Sequence, residues 1–426
     1  MKRTYVRINL RMDSDWRVGA WDSDSADALP VLTDADDRPV APGSGIAGSL
    51  RHAVSDQRRQ ELFGPDPGAE ELWASPWWVL GTVVEGSRIA ARQRNRIDRA
   101  RGSASERGLY QVEEVGPKVG ETATVRVYLR QQHDSHDPDS EILAPLIEVL
   151  KAWEPRVGGG ASTGLGRATI ISVTHRTIDL DDIVQLKDVV CGEGQNPVER
   201  VDALLAGGTP TSLADKESHD TSWLKAKLKV DFLAVPDDMA DRIHGSSWKG
   251  LLRSRVEFIG RSLGYPVCGA KNENSDETGW TGCGECAVCR AFGSSQRPGL
   301  WAFDDSPFDN KGTSTSRKRI AIDRFTGGVR DGALWKQFYC QDVDLNLVVR
   351  RNPMVHGISL DPEDSWVKKA LIHALRDLND GLIGIGPESA AGFGLAKVEN
   401  LTVDGSSINL DTIEPIPYPD AQEVES

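Results

Sequence analysis

Three motifs occur twice in this chain, in the same order. The first reads Pro42-Gly-Ser-Gly-Ile-Ala-Gly-Ser-Leu-Arg51 and returns as His244-Gly-Ser-Ser-Trp-Lys-Gly-Leu-Leu-Arg253. The second is Ile97-Asp98-Arg99-x-x-Gly102 with Leu109-Tyr110 behind it, and returns as Ile322-Asp323-Arg324-x-x-Gly327 with Leu334-Trp335 behind it. Twelve positions separate the isoleucine from the leucine in both. The third is Gly-rich: Gly158, Ser162, Gly164, Gly166 and Arg167 in the first series, Gly386, Ser389, Gly392 and Gly394 in the second. Their serines match only with a one-residue slip. A repeat of this length needs one module with its own core, used twice, and 426 residues are too many for a single core.

Each half opens on a period-two pattern. Val6, Ile8, Leu10 and Met12 alternate with Arg7, Asn9 and Arg11; Leu224, Ala226, Leu228, Val230 and Phe232 alternate with Lys225, Lys227, Lys229 and Asp231. Such alternation predicts a strand with one face on a core and one face free. A turn-to-helix signal follows, with Ser44 or Ser246 placed to cap the helix. In the second copy Trp248, Leu252, Val256 and Ile259 fall on one face, while Lys249 and Arg253 share another. A helix start of this kind offers free N–H groups and a positive dipole end to a phosphate. The second motif, with glycines between β-type residues, predicts a projecting hairpin. Further helices are expected at 142–153 and 366–380, before each Gly-rich loop, where glycines let a backbone approach an anion. The order strand, helix, strands with an inserted hairpin, helix, final strand predicts an α+β protein of two tandem ferredoxin-like (RRM-like) modules. We place them at residues 1–175 and 223–411. The polar, Gly- and Pro-punctuated stretch 176–222 reads as a linker, and 412–426 as a fraying tail.

The net charge of −14 argues against indiscriminate nucleic-acid binding. Its distribution argues differently. Residues 86–108 hold Arg88, Arg92, Arg94, Arg96, Arg99, Arg101 and Arg107 against Asp98 and Glu106. Residues 311–330 hold Lys311, Arg317, Lys318, Arg319, Arg324 and Arg330 against Asp323. A single stripe reads as a solvated face; two at equivalent places in a repeat read as a track for a polyanion. The chain has no run of eighteen apolar residues and no signal-like leader, so no membrane span and a cytosolic location are expected.

Four of the six cysteines, Cys268, Cys283, Cys286 and Cys289, crowd into one segment. In a reducing compartment that argues for a metal over disulfides. Four thiolates with no open position predict a closed structural zinc in an insertion at about 264–295 of the second module. The CxxCxxC run keeps an iron–sulfur cluster, or partial use of cysteine pairs, as alternatives.

With PGSGIAGSLR, RNRIDRARGSASERGLYQVEEV and GGGASTGLGR in the first half, and HGSSWKGLLR, CGECAVCRAFG, RKRIAIDRFTGGVRDGALW and GIGPESAAGFG in the second, the chain resembles the RAMP superfamily. In particular it resembles fused backbone subunits of type III (III-D-like) CRISPR–Cas RNA-targeting effectors. The resemblance implies a cytoplasmic ribonucleoprotein of antiviral defense. Its partners would be a CRISPR guide RNA, a target RNA, and other RAMP-type and large effector subunits. It implies that the hairpins are thumbs that wedge into the guide–target duplex and kink it. It implies RNA contacts at Ser44, Arg51, Arg96, Arg99, Gly164, Gly166 and Arg167, and at Ser246, Lys249, Arg253, Arg319, Arg324, Gly392 and Gly394. It also implies an endoribonuclease aspartate about fifteen residues before the Pro-Gly-Ser, with a divalent cation such as Mg as cofactor. Asp27 stands there, with Asp24 and Asp22 as alternatives, in a loop that also holds Asp34, Asp36 and Asp37. The corresponding loop of the second module is too short, so that module is expected to bind without cutting. Two alternatives remain: a catalytically silent RNA-binding scaffold, and a guide-processing endoribonuclease, for which His52 is the histidine at hand.

Overall fold

The computed structural model describes residues 1–20, 28–66, 68–98, 103–192, 194, 196–213, 220–237, 240–268, 282–355 and 360–419; the side chains of 96–107 and of residue 56 lie outside the description. The chain divides into two compact units, the first built from Met1–Arg96, Glu106–Ala161 and Leu165–His219, the second from the rest.

In the first unit an antiparallel sheet runs in the order Trp77–Glu85, Thr124–His133, Lys2–Met12, Ala168–Asp179, Thr209–Thr211. The alternation seen in the sequence sets the pairing. Val6 faces Leu129, Ile8 faces Val127 and Leu10 faces Val125, so one register puts every apolar side chain on one face. The helices Gly43–His52 and Asp139–Ala152 cover that face with Ile46, Leu50, Leu146, Val149 and Leu150. By chain order the four long strands stand second, third, first, fourth, which is the ferredoxin-like arrangement. The second unit repeats it with Ser306–Asn310, Val329–Arg351, Ser222–Val235 and Ala396–Val403. Its helices Gly245–Ser262 and Trp366–Asn379 bring Trp248, Leu252, Val256, Leu371 and Leu375 onto Leu224, Ala226, Leu228 and Val230. On the opposite face Lys225, Lys227 and Lys229 are exposed, as the alternation predicts.

Three sequence expectations need correction. The stretch 176–222 is no bare linker: helices Ile183–Cys191 and Pro197–Leu205 and the short strand Thr209–Thr211 lie within it. Val201, Leu204 and Leu205 recur at helical spacing and pack with Tyr5, Tyr128 and Ile178. Burying each contributes roughly 1.5–3 kcal/mol, enough to fold a segment whose remaining residues are polar. For the same reason the second face of the first sheet, expected to be free, is partly covered. There Asp202 also takes Arg7 at 2.7 Å and Arg126 at 3.1 Å. The tail does not fray from residue 412: Ile416 is in the second core, and Tyr265 Oη donates to the Pro417 carbonyl at 2.6 Å. Among the described residues no helix is long and apolar enough to cross a membrane.

Candidate nucleic-acid interface and metal centre

The second copy of the hairpin motif is the strand pair Thr313–Ile322 and Val329–Arg351, in one register from Thr313 opposite Gln341 to Ile320 opposite Leu334, with a shift before Ile322 opposite Val329. Its tip is built by Asp323. The Asp323 carboxylate accepts from the N–H of Phe325 at 2.8 Å and of Thr326 at 2.9 Å, and its own carbonyl accepts from Gly327 N–H at 2.9 Å. These bonds hold the carboxyl below the usual aspartate range, those from Thr326 and Phe325 being the main cause. Beyond the turn Phe325 is 100 % exposed, and Ile320, Ile322, Val329, Leu334 and Trp335 are exposed with it. Lys318, Arg324 and Arg330 stand exposed among them. At the base the cations are tied down. Arg317 Nε donates to Tyr339 Oη at 3.2 Å, and Arg319 Nη1 to Glu388 Oε2 at 2.6 Å.

In the first copy, Ser87–Asp98 and Ser103–Pro117, the basic stripe is partly neutralised by acids that lie outside it in sequence. Arg92 pairs with Asp15 at 3.0 Å and with Glu114 at 2.5 Å, and Arg94 also pairs with Glu114. Leu109 and Tyr110 are exposed, as Leu334 and Trp335 are in the second copy.

The helix starts differ from the serine-cap expectation. Pro42 and His244 are the capping residues and neither copy has a side-chain cap. Ser44 and Ser246 sit inside the helix, two residues past the capping position, too late to reach the first free N–H groups. In the second copy Asp305 does that work, accepting from Gly245 N–H at 2.8 Å. Ser44, Gly45 and Gly48 are exposed, as are Ser247 and Gly250, leaving a bare strip of small side chains on each helix. Ile46 and Trp248 are equivalent and buried; Ala47 stands where the second copy has Lys249. Lys249 Nζ donates to Ser162 Oγ at 2.8 Å within the second unit, and burial, with Arg253 nearby, pulls its pKa down to about 8.

The Gly-rich loops superpose by their glycines and not by their serines. Val157 N–H donates to Gly166 O at 2.8 Å, and Ile385 N–H to Gly394 O at 2.9 Å, nine residues on in each case. A Cβ on Gly166 would lie 2.3 Å from Val157 O, and one on Gly394 1.9 Å from Ile385 O, so both must be glycine. In that register Ala161–Thr163 matches Ser389–Ala391, and Ser162 corresponds to Ala390. Gly164 and Gly392 share positive φ, and Gly392 has open space where a side chain would be. Arg167 is half-buried at the start of the last strand.

Cys268, Cys283, Cys286 and Cys289 bring their sulfurs within 4.8 Å of one another. Cys268 Sγ lies 3.5 Å from Cys289 Sγ and 3.6 Å from Cys286 Sγ. A tetrahedron of Zn–S bonds has an edge of about 3.8 Å, whereas a disulfide needs about 2.05 Å. The spacing therefore fits one ion and excludes a disulfide as built. Glu285 and Cys286 N–H donate to Cys283 Sγ at 3.4 and 3.2 Å, which fixes the direction of that sulfur. Hydrogen bonds from Cys268 and Cys286 hold the Cys289 thiol far below its ordinary range, with Arg253 adding to the effect.

Against this geometry the family comparison is decisive. The family model of the RAMP superfamily matches residues 9–169 and 224–397. The chain belongs to the RAMP superfamily. Among curated proteins nothing matches it. The two matched regions coincide with the two ferredoxin-like units, so this is a double RAMP protein, and the family makes it a CRISPR-associated RNA-binding protein.

The RAMP modules place the expected site residues unevenly. Ser44 and Ser246 lie at the helix starts, Gly164, Gly166, Gly392 and Gly394 in the loops, and Arg324 at the second thumb tip. Arg51, Arg253 and Arg319 carry internal bonds instead of facing outward. Arg51 Nη1 donates to Phe63 O at 2.6 Å and Gly64 O at 3.1 Å, and its Nη2 to Asp66 at 2.7 Å. The Arg96 side chain, Arg99, and the three candidate catalytic residues Asp22, Asp24 and Asp27 lie outside the described residues. Asp34 and Asp36, later in the same loop, pair with Arg38 at 2.9 and 2.8 Å. Sequence reasoning missed the Phe325 tip, Glu388 and Asp305. It also missed a Phe-Gly pair, Phe63-Gly64 and Phe292-Gly293, that ends a short helix in both RAMP modules; the shared dipeptide was the available signal.

Proposed function

We propose that this double RAMP protein is a backbone subunit of a type III CRISPR effector complex, III-D-like in its fusion, that holds a guide RNA and its duplex with a target RNA. The observation that carries the reading is the second thumb. A fully exposed phenylalanine ringed by exposed Ile, Val, Leu and Trp side chains is unfavourable in water. It is useful if it inserts between stacked bases while Lys318, Arg324 and Arg330 meet the phosphates. Base pairing to the guide reads sequence, so the protein needs only backbone and shape. The bare small-residue strips of the first helices and the pinched Gly-rich loops let an RNA backbone come close to main-chain N–H groups.

Cleavage belongs to the first module. The target ribose 2′-OH beside a thumb-made kink attacks the adjacent phosphorus. A new O2′–P bond forms as the 2′-OH proton passes to solvent, the P–O5′ bond breaks as water protonates the departing O5′, and the products are a 2′,3′-cyclic phosphate and a 5′-OH end. A splayed nucleotide brings attacking and leaving oxygens into line. Asp27 orients the 2′-OH as acceptor, with Asp24 and Asp22 as neighbouring carboxylates. Such oxygen donors suit a hard divalent cation such as Mg, which would supply charge neutralisation at the phosphate. The cysteine set, all sulfur, suits zinc and a structural role.

The test is Asp27→Ala in the assembled complex with guide and labelled target. Cutting at the regularly spaced kinks disappears while guide and target binding stay within twofold. Undiminished cutting assigns the activity elsewhere. Absence of cutting by the unaltered complex, with normal binding, makes the subunit a silent scaffold. Cutting of a guide-precursor hairpin by the isolated chain with metal removed makes it a processing enzyme.

A further inference from the structure

The same arginine closes each copy of the first motif, and the two side chains do parallel work. In the first unit Arg51 fastens the Phe63-Gly64 end of the helix Asp56–Phe63 through Nη1. In the second unit Arg253 Nη1 donates to Gly293 O at 2.6 Å, at the Phe292-Gly293 end of the helix Ala287–Phe292. Gly64 (φ 78°, ψ 171°) and Gly293 (φ 90°, ψ 165°) share one backbone conformation open to glycine, so the clamp is the same device twice.

The second amino group separates the copies. Arg51 Nη2 finds a carboxylate, Asp66 Oδ1, at 2.7 Å. Arg253 Nη2 finds a sulfur, Cys289 Sγ, at 3.3 Å. One copy thus has a thiol where the other has an anion. Arg253 is fixed on its remaining side by Glu257, Nε to Oε1 at 2.9 Å, with the arginine side chain 12 % and the glutamate 1 % exposed. Gly282 leaves the space: a Cβ there would lie 2.9 Å from Cys289 Sγ and 3.5 Å from Arg253 Nη2.

We infer that Arg253 is a positioning residue of the cysteine metal centre, a charged N–H···S donor that orients the Cys289 sulfur, and not an RNA contact. Four thiolates around a divalent ion leave a net charge of −2, and a half-buried site of that charge needs a cation against its sulfurs. A guanidinium held by a carbonyl and a carboxylate is already oriented to supply it. Losing a partner of this kind typically costs about ten- to a hundredfold in metal affinity. The inference rests on the cysteines holding a metal and is independent of what RNA the protein binds.

The experiment uses the full chain. Zinc affinity is read by competition with a chromophoric chelator, and the thiolate-to-metal charge-transfer band by cobalt(II) substitution. Unaltered protein binds one zinc; a chain that binds none overturns the metal reading itself. Arg253→Gln, which keeps a donor and loses the charge, binds zinc ten- to a hundredfold more weakly and shifts the cobalt band to lower energy. Arg51→Gln, at the equivalent clamp, leaves both readouts where they were. Should Arg253→Gln fail to fold beside the buried Glu257, the comparison is made between Glu257→Gln and the double variant. Unchanged zinc affinity and band in a folded variant overturn the inference. So does a reduced salt dependence of RNA binding at saturating zinc, which would return Arg253 to the RNA.

Discussion

At the scale of single residues, the cations of this protein divide into those that structure the chain and those left to meet a ligand. Lys249 lies between the two. Its ammonium is buried, with a pKa near 8 in the folded protein against an ordinary 10.5. The unfolded chain therefore binds the extra proton between those values, and stability rises with pH across that window. Below pH 8 both states carry the charge and the folded state bears the full desolvation cost, on the order of 3 kcal/mol. Lys249→Met should flatten the slope of unfolding free energy between pH 8 and 10.5 and stabilise the neutral-pH protein; chemical denaturation across that range checks it. RNA binding should also take up a proton near pH 8–9, measurable as a buffer-dependent enthalpy. Asp323 works in the other direction. Its carboxyl is held low, so the tip turn is intact above the ordinary aspartate range and loosens as pH falls through the lowered value. Asp323→Ala should abolish hydrogen-exchange protection of the Phe325 and Thr326 amides at any pH. The repeated aspartate of the hairpin motif is thus explained by a turn in the second copy, and Asp98 occupies the same motif position in the first.

At the scale of elements, the hairpins are where sequence and structure agree in outline and differ in charge. Both strands of the second hairpin follow from β-type residues around Gly327, and their exposed apolar side chains follow from having no sheet beyond them. The tip makes a clean prediction. Phe325→Ala removes no buried contact, so unfolding free energy should change by less than about 0.5 kcal/mol. Guide–target duplex binding should weaken by about 1–3 kcal/mol, the usual worth of an aromatic–base stack, with the loss of any kink-dependent fluorescence of a probe base. Retained affinity and kink would remove the tip from the interface. The first hairpin reads differently in three dimensions. Asp15 and Glu114 cancel part of a charge excess that looked unopposed along the sequence. Lys318, Arg324 and Arg330 to Gln should each lower the salt slope of RNA binding by about 0.7–0.9, whereas Arg92→Gln should alter stability more than the slope.

At the scale of the molecule, two compact units with hydrophobic cores of their own and a metal centre in the second predict two thermal events. The cysteine segment continues into Ala287, Val288, Ala291 and Phe292, all buried in the second core. A strong chelator should therefore lower the transition of the second unit alone, and calorimetry with and without it should show one peak moving and one fixed. The sequence by itself determined the duplication, the order of the main strands and helices within each module, the ferredoxin-like topology and the grouping of four cysteines. These depend on local periodicity, on glycine at strained positions and on ligand type, which neighbouring letters encode. The packing of 183–211 escaped notice because its few packed apolar residues, Val201, Leu204 and Leu205 with Val189 and Val198, stand among polar ones. What only the tertiary structure decided is which polar groups are free. Arg51 meets Asp66, Arg92 meets Asp15, Arg253 meets Cys289 and Arg319 meets Glu388 across gaps of 15 to 77 residues. A charge acts through distances of a few ångströms in space, and no spacing along the chain reports who will stand there.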